Sequence, residues 1–130
     1  MKDESTVSQE IQIQSMYHHC TLMRNNSGVS VNPAGQLVRF GLGNTSKKRT
    51  DEIKSSDLIG ITKIVITQEM VGQIIGVFTA IEVKKEDWNP GKKLDAREKA
   101  QNRFISWIVS QGGFAGFCNS VENLKNIFIR

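Results

Sequence analysis

Glu82 and Lys84 stand two residues apart at the end of "GQIIGVFTAIEVK", a run that otherwise reads as buried strand. Burying charge is costly unless a partner or a metal ion compensates, so the pair is either at the surface or held there for a purpose. A second run, "DLIGITKIVI", begins with Asp57, and the polar "TQEM" between the two runs predicts a turn joining neighbouring antiparallel strands. With that hairpin symmetric about Met70 and Val71, residue 57 stands opposite 84 and residue 59 opposite 82. Side chains alternate along a strand, so Asp57, Glu82 and Lys84 then share one face. Two close carboxylates repel each other unless a cation lies between them. Mg²⁺, or Mn²⁺ in its place, is the hard ion that such a site would hold together with water and a substrate phosphate. A bound metal of this kind polarises a phosphoryl oxygen and helps make hydroxide from water. A neighbouring lysine can orient and help deprotonate the attacking water while offsetting phosphate charge. The chemistry implied is phosphodiester hydrolysis. Glu-x-Lys alone is a weak signal, because Glu52-Ile53-Lys54 repeats it inside a hydrophilic stretch with no strand behind it.

Two helices are needed to complete that face. Thr6-Val7-Ser8-Gln9 has the form of a capping box and predicts a helix start. Ile13, Met16, Tyr17, Cys20 and Met23 follow at helical spacing. Traced backwards, their stripe reaches Glu10, which places a carboxylate on the inward face. Asp95 opens a second helix with an inner stripe of Phe104, Ile105 and Ile108 and a stop at Gly112-Gly113. The same tracing there reaches Gln101. Singly, such a polar residue is most often at the rim of the face, reaching water. Between these helices, Val29 to Val31, the turn Asn32-Pro33-Ala34-Gly35 and "QLVRFGL" predict a hairpin, and residues 43–56 read as a long surface loop. "FAGFC" is a last short strand, and Asn119 with Glu122 predicts the cap of a closing helix containing Leu124 and Phe128. The fold class expected is α/β, in one domain covering 1–130, with no internal repeat.

Net charge is +4, and the positive charge gathers in two loop-like stretches, "SKKRTDEIK" and "VKKEDWNPGKK". Such clusters suit a polyanionic partner, although solvated loops carry similar charge. No apolar run is long enough for a membrane span, and "MKDESTVSQE" lacks signal-peptide character, so a cytoplasmic protein is expected. Cys20 and Cys118 lack metal or redox spacing and read as small core residues. His18-His19-Cys20 offers adjacent side chains that diverge on a helix, which does not suit zinc. Trp88, between basic clusters, is a candidate for stacking on bases, while Trp107 reads as packing beside the second helix. Gly41, Gly43 and Gly60 form no phosphate-loop pattern.

Taken together, "RNNSG", "VRFGL", "SSDLIGI", "FTAIEVK" and "QNRFISWIVSQGGFAG" resemble the virus-type replication-repair nuclease (VRR-NUC) domain of the PD-(D/E)XK superfamily, from about residue 10 to about residue 122. The resemblance implies a restriction-endonuclease-like core of helix, three strands, helix and strand, with a mixed central sheet flanked by helices. It implies Glu10, Asp57, Glu82, Lys84 and Gln101 as catalytic residues, and Asp57, Glu82 and the backbone carbonyl of Val83 as metal ligands. Members consisting of this domain alone resemble junction-resolving enzymes, so a homodimer cutting branched DNA, such as a Holliday junction, is implied. A flap- or nick-directed nuclease and a non-catalytic DNA-binding protein are the alternatives. In one respect the chain departs from the family pattern: "GNTSKKRTDEIK" intervenes where "RFGL" usually leads quickly to "SSDLIG". Lys47, Lys48 and Arg49 in this basic insertion (43–56), with Lys85, are candidate DNA contacts.

Overall fold

The structure, a computed structural model, describes residues 1–128 of an α/β chain with two compact units, Met1–Thr62 and Lys63–Arg130. The described strands form three two-stranded sheets, two antiparallel and one parallel.

In the first unit, helix α1 spans Glu4–Ser15. The Asp3 carboxylate caps it by accepting the Thr6 backbone N–H at 2.8 Å. The helix therefore starts before the capping box expected at Thr6. It also stops earlier than its apolar spacing predicts. A 3₁₀ turn at Met16–His18 leads into His19, whose positive φ of 60° turns the chain out of the helix. Cys20 and Met23, read as the end of the helical stripe, instead lie on strand β1, Cys20–Arg24. This strand pairs antiparallel with β4, Leu58–Thr62, from Cys20 opposite Thr62 to Arg24 opposite Leu58. The ladder satisfies backbone groups along both segments and outweighs a weak local helical preference. Gly60 permits the close approach, since a Cβ there would run into the Thr21 carbonyl.

Strands β2 (Gly28–Val31) and β3 (Leu37–Phe40) form the hairpin expected from the sequence. Asn32 Oδ1 accepts the Gln36 N–H at 2.8 Å, and Gly35 supplies the positive φ of 79° that the turn requires. The stretch 43–56 is more than a loop. Helix α2, Lys47–Glu52, forms within it, capped by Ser46, whose Oγ accepts the Arg49 N–H at 3.0 Å. Just before it, Asn44 is 8 % exposed. Its amide nitrogen donates to the Gly28 and Phe40 carbonyls at 2.8 and 2.9 Å, and its oxygen accepts from Thr50 Oγ1 at 2.7 Å and Arg39 Nη1 at 3.1 Å. One buried amide thus ties the basic helix to the hairpin. In the sequence, an asparagine among Gly, Thr and Ser looks like any turn residue.

In the second unit, residues 63–78 carry a 3₁₀ turn at Gln68–Met70, where the "TQEM" turn was expected, and no strand. Strand β5 is Thr79–Val83, so it begins well after the expected start at Gly72. Its partner is β6, Phe114–Cys118, in parallel register from Thr79 opposite Phe114 to Val83 opposite Cys118. The β4–β5 hairpin that aligned residue 57 with 84 is not among the three described ladders, in which β4 pairs with β1 and β5 with β6. A parallel pair needs a crossover, and α3, Ala96–Ser110, supplies it. Asp95 caps α3 as expected: its carboxylate accepts the Glu98 N–H at 2.8 Å, and Glu98 accepts the Asp95 N–H at 3.3 Å. Ile108 is fully buried and Ile105 half-buried, whereas Phe104, expected on the inner stripe, is 44 % exposed. After Gly112, with φ 92°, the Gly113 N–H donates to the Ile108 carbonyl at 3.0 Å and ends the helix. A short helix α4, Val121–Leu124, is capped by Ser120 rather than by the expected Asn119. Cys118 is buried, as expected, and Cys20 is half-buried.

Candidate functional site

The parallel ladder decides which groups of β5 are free to do chemistry. The Phe78 carbonyl accepts from the Phe114 N–H, and the Lys84 N–H donates to the Cys118 carbonyl, both at 2.9 Å. In such a ladder alternate residues face the partner strand. Phe78, Ala80, Glu82 and Lys84 therefore use their backbones towards β6, and the Val83 carbonyl turns to the opposite edge. Side-chain alternation puts Glu82 and Lys84 together on the face that α3 covers.

Gln101 of α3 meets them both. Its amide oxygen accepts from Lys84 Nζ at 2.8 Å, and its amide nitrogen donates to Glu82 Oε1 at 2.7 Å. An ammonium can only donate and a carboxylate can only accept, so these neighbours fix which way the amide lies. Glutamine is the side chain that bridges the two in one plane. The three residues singled out from the sequence on strand and helix thus form one hydrogen-bonded chain, each member half-buried.

Lys84 is held on its other side by rings. Its ammonium lies 5.2 Å from the Phe117 ring centroid and 6.0 Å from that of Trp88, and the two rings are 5.1 Å apart. Phe117 stands opposite Glu82 in the ladder, which places it on the same face. Trp88 Nε1 donates to Glu98 Oε2 at 2.6 Å, and Glu98 is only 5 % exposed. Asn119 closes the loop from below: its amide donates to the carbonyls of Glu86 and Trp88 at 3.1 Å each. Trp88, a candidate for stacking on bases, is half-buried and occupied within the protein. Glu98 and Phe117 were missed as site residues. The Asp-x-x-Glu spacing at 95–98 was a usable signal for the first; alternation along "FAGFC" marked the second only once the strand direction was known.

Beside Glu82 and Gln101, a cleft of about 410 Å³ is lined also by Ala80, Arg97, Phe104 and Ile105. Lys85 is exposed in the loop that follows β5. Asp95, at the start of α3, has its carboxyl held below the ordinary range, chiefly by the Glu98 backbone N–H and to a smaller degree by the charge of Lys84.

The other candidates lie in the first unit. Asp57 is exposed, with its backbone carbonyl accepting from the Asn25 N–H at 2.8 Å. It lines a cleft of about 300 Å³ together with Ser5, Ser8, Gln9, Gln12 and Arg24. Glu10, expected on the inward face of α1, is instead exposed and ion-paired with Lys2 at 2.8 Å. Lys47, Lys48 and Arg49 occupy the first half of α2 and are exposed, with Lys47 bonded to Asp51 at 3.0 Å.

The described residues contain no cluster of three or more His, Cys, Asp and Glu side chains suited to a metal ion. At the end of β5 stand the Glu82 carboxylate and, one residue on, the outward-turned Val83 carbonyl. Both are hard oxygens, which suit Mg²⁺ or Mn²⁺, ions that keep several waters and share a phosphate. No helix among the described residues is long and apolar enough to cross a membrane. No family model, curated protein or solved structure matches the chain.

Proposed function

We propose that the chain is a divalent-metal-dependent endodeoxyribonuclease of the VRR-NUC type, with a restriction-endonuclease-like core, that cuts branched DNA. The observation that carries this reading is the Lys84–Gln101–Glu82 chain at 2.8 and 2.7 Å, beside an outward-turned carbonyl. A carboxylate and a lysine on one strand, kept apart but coupled by a neutral amide, give an anionic cation site and a cationic phosphate site side by side.

Glu82 and the Val83 carbonyl would hold Mg²⁺ or Mn²⁺, which would polarise the scissile phosphoryl group and acidify water. Lys84 then has two tasks: it orients the attacking water and balances charge on the phosphate. Gln101 holds the ammonium at a fixed distance from Glu82, so that Lys84 neither collapses onto the carboxylate nor swings into solvent. The exposed cations of α2 and Lys85 supply attraction to the DNA backbone that is independent of sequence. Asp57 and Glu10 belong to the reading through the resemblance alone, since the described ladders do not align Asp57 with Glu82 and Glu10 is exposed. Two symmetric cuts across a four-way junction need two copies of a chain with one such centre, so a homodimer is part of the proposal.

The test uses labelled four-way junction, flap, nicked duplex and plain duplex, incubated with the protein in Mg²⁺, in Mn²⁺ and in EDTA. Metal-dependent cutting with the junction preferred supports the whole reading. Preference for flaps or nicks keeps the nuclease and changes its substrate. Binding with no cutting in either metal overturns the enzyme in favour of a DNA-binding protein.

A further inference from the structure

Glu98 is a buried carboxylate that the proposed chemistry does not use. It is 5 % exposed, and its two oxygens are engaged by the Trp88 indole N–H at 2.6 Å and the Asp95 backbone N–H at 3.3 Å. A buried acid with so few partners is costly to keep. Capping α3 does not require it: Asp95 already caps that end through a 2.8 Å bond, and the return bond from Glu98 is the long one. What Glu98 does in addition is accept the Trp88 indole N–H, which fixes the direction of that ring.

We infer that Glu98 and Trp88 are positioning residues for Lys84. Glu98 anchors the indole N–H, Asn119 holds the backbone of the same residue through the Trp88 carbonyl at 3.1 Å, and Phe117 packs against the ring at 5.1 Å. A ring held at three points presents its face to the Lys84 ammonium, 6.0 Å from its centroid, with Phe117 at 5.2 Å. A lysine side chain otherwise samples many rotamers, and confining it has an entropic cost. The two rings and the Gln101 oxygen together restrict the ammonium to a small part of that range. The hydrogen bond to a carboxylate also draws charge onto the indole, which makes the ring a better partner for a cation.

The role in catalysis rests on the proposed nuclease reading; the positioning itself does not, and the experiment separates them. Protein labelled with ¹³C at lysine is compared by NMR as wild type, Glu98→Gln, Glu98→Leu and Trp88→Leu, each checked for folding by thermal melting. The Lys84 Cε protons, beside two rings, are expected upfield of all other lysines. Glu98→Gln, whose amide oxygen still accepts from the indole, retains that shift. Glu98→Leu loses the part that Trp88 supplies, and Trp88→Leu loses that part even if Glu98→Leu fails to fold, while the nearer Phe117 ring keeps its own share. In the junction-cutting assay the turnover number of Glu98→Leu falls by about 10- to 100-fold with KM unchanged, the effect of a misplaced reacting group, and Glu98→Gln restores it. An unshifted Lys84 signal in the wild type, or an upfield shift that Trp88→Leu does not diminish, overturns the positioning role. A shifted signal in a protein that cuts no DNA leaves the positioning intact and removes the nuclease.

Discussion

The chain contains Glu-x-Lys twice, and the two copies end in different states. Glu52-Ile53-Lys54 lies at the end of α2, with Glu52, Ile53 and Lys54 all exposed. Glu82-Val83-Lys84 lies at the end of a ladder strand under a helix, with both charged residues half-buried and joined through Gln101. The spacing is identical, so the tripeptide by itself carries no chemistry. What differs is the covering element. A helix that crosses between two parallel strands must lie over one face of the pair, and the residue it sets above the charges here is an amide with both a donor and an acceptor. At α2 both charged residues are exposed, and water solvates them.

The largest effect that would break this comparison comes from removing one acid from each copy. Glu82→Gln is expected to lower metal-dependent cutting by about 10³-fold, the scale of losing a principal electrostatic group, while Glu52→Gln leaves the rate unchanged. Equal effects, measured as single-turnover rates, would erase the distinction between the copies. A smaller effect follows from taking away the bridge: Gln101→Leu removes both hydrogen bonds at similar volume and should slow cutting by about 10- to 100-fold, as a displaced group does. Its affinity for DNA should be unaltered in a gel-shift titration.

The region around the exposed copy can be tested for a different role. Replacing Lys47, Lys48 and Arg49 together by Ala should reduce the slope of log affinity against log salt by about 2 to 3, since each phosphate that a cation neutralises adds about 0.9 to that slope. The rate of cutting at saturating DNA should stay the same. An unchanged slope would leave α2 without a part in DNA binding.

The smallest effect concerns the helix starts. The carboxyls of Asp3 and Asp95 are both held below the ordinary value of 3.8, each chiefly by a backbone N–H, from Thr6 and Glu98 respectively. A depressed folded-state pKa contributes stability that is present above the unfolded value of 3.8 and is lost as pH falls through the folded value. Helicity followed by circular dichroism should therefore decline somewhat below pH 3.8. Asp95→Asn, which keeps the cap without titrating, should blunt that decline.

Much of the second unit was legible in advance because its signals are local. Asp95 and Glu98 mark a capping box, Gly112-Gly113 a stop, and "FAGFC" a strand, and each lies where the sequence put it. Counting back along the helix from Ile108 was enough to place Gln101 over the strand. The first unit was harder to read for a physical reason. The stretch from Met16 to Met23 satisfies a helical spacing, yet its second half, from Cys20, pairs as a strand with β4, more than thirty residues later, a partner that no local pattern reveals. The same limit applies to Asp57. Its expected alignment with Glu82 depended on a long-range pairing between two Ile- and Val-rich runs, and period-two patterns state which runs can be strands without stating which neighbours they take. Asn44 was invisible for a third reason: burial of one polar side chain depends on carbonyls from two separate strands converging on it.

The central claim is that Lys84, held by Gln101 and the two rings, takes part in metal-assisted cleavage of DNA. Single-turnover cutting of a labelled four-way junction in Mg²⁺, at saturating protein, measures this directly for the wild type and Lys84→Ala. Cutting by the wild type that EDTA abolishes is expected, with a loss of about 10²- to 10⁴-fold in the variant, the range for a group that handles a proton in the transition state, and with junction binding retained. Full activity in Lys84→Ala, or cutting that persists in EDTA, would contradict it.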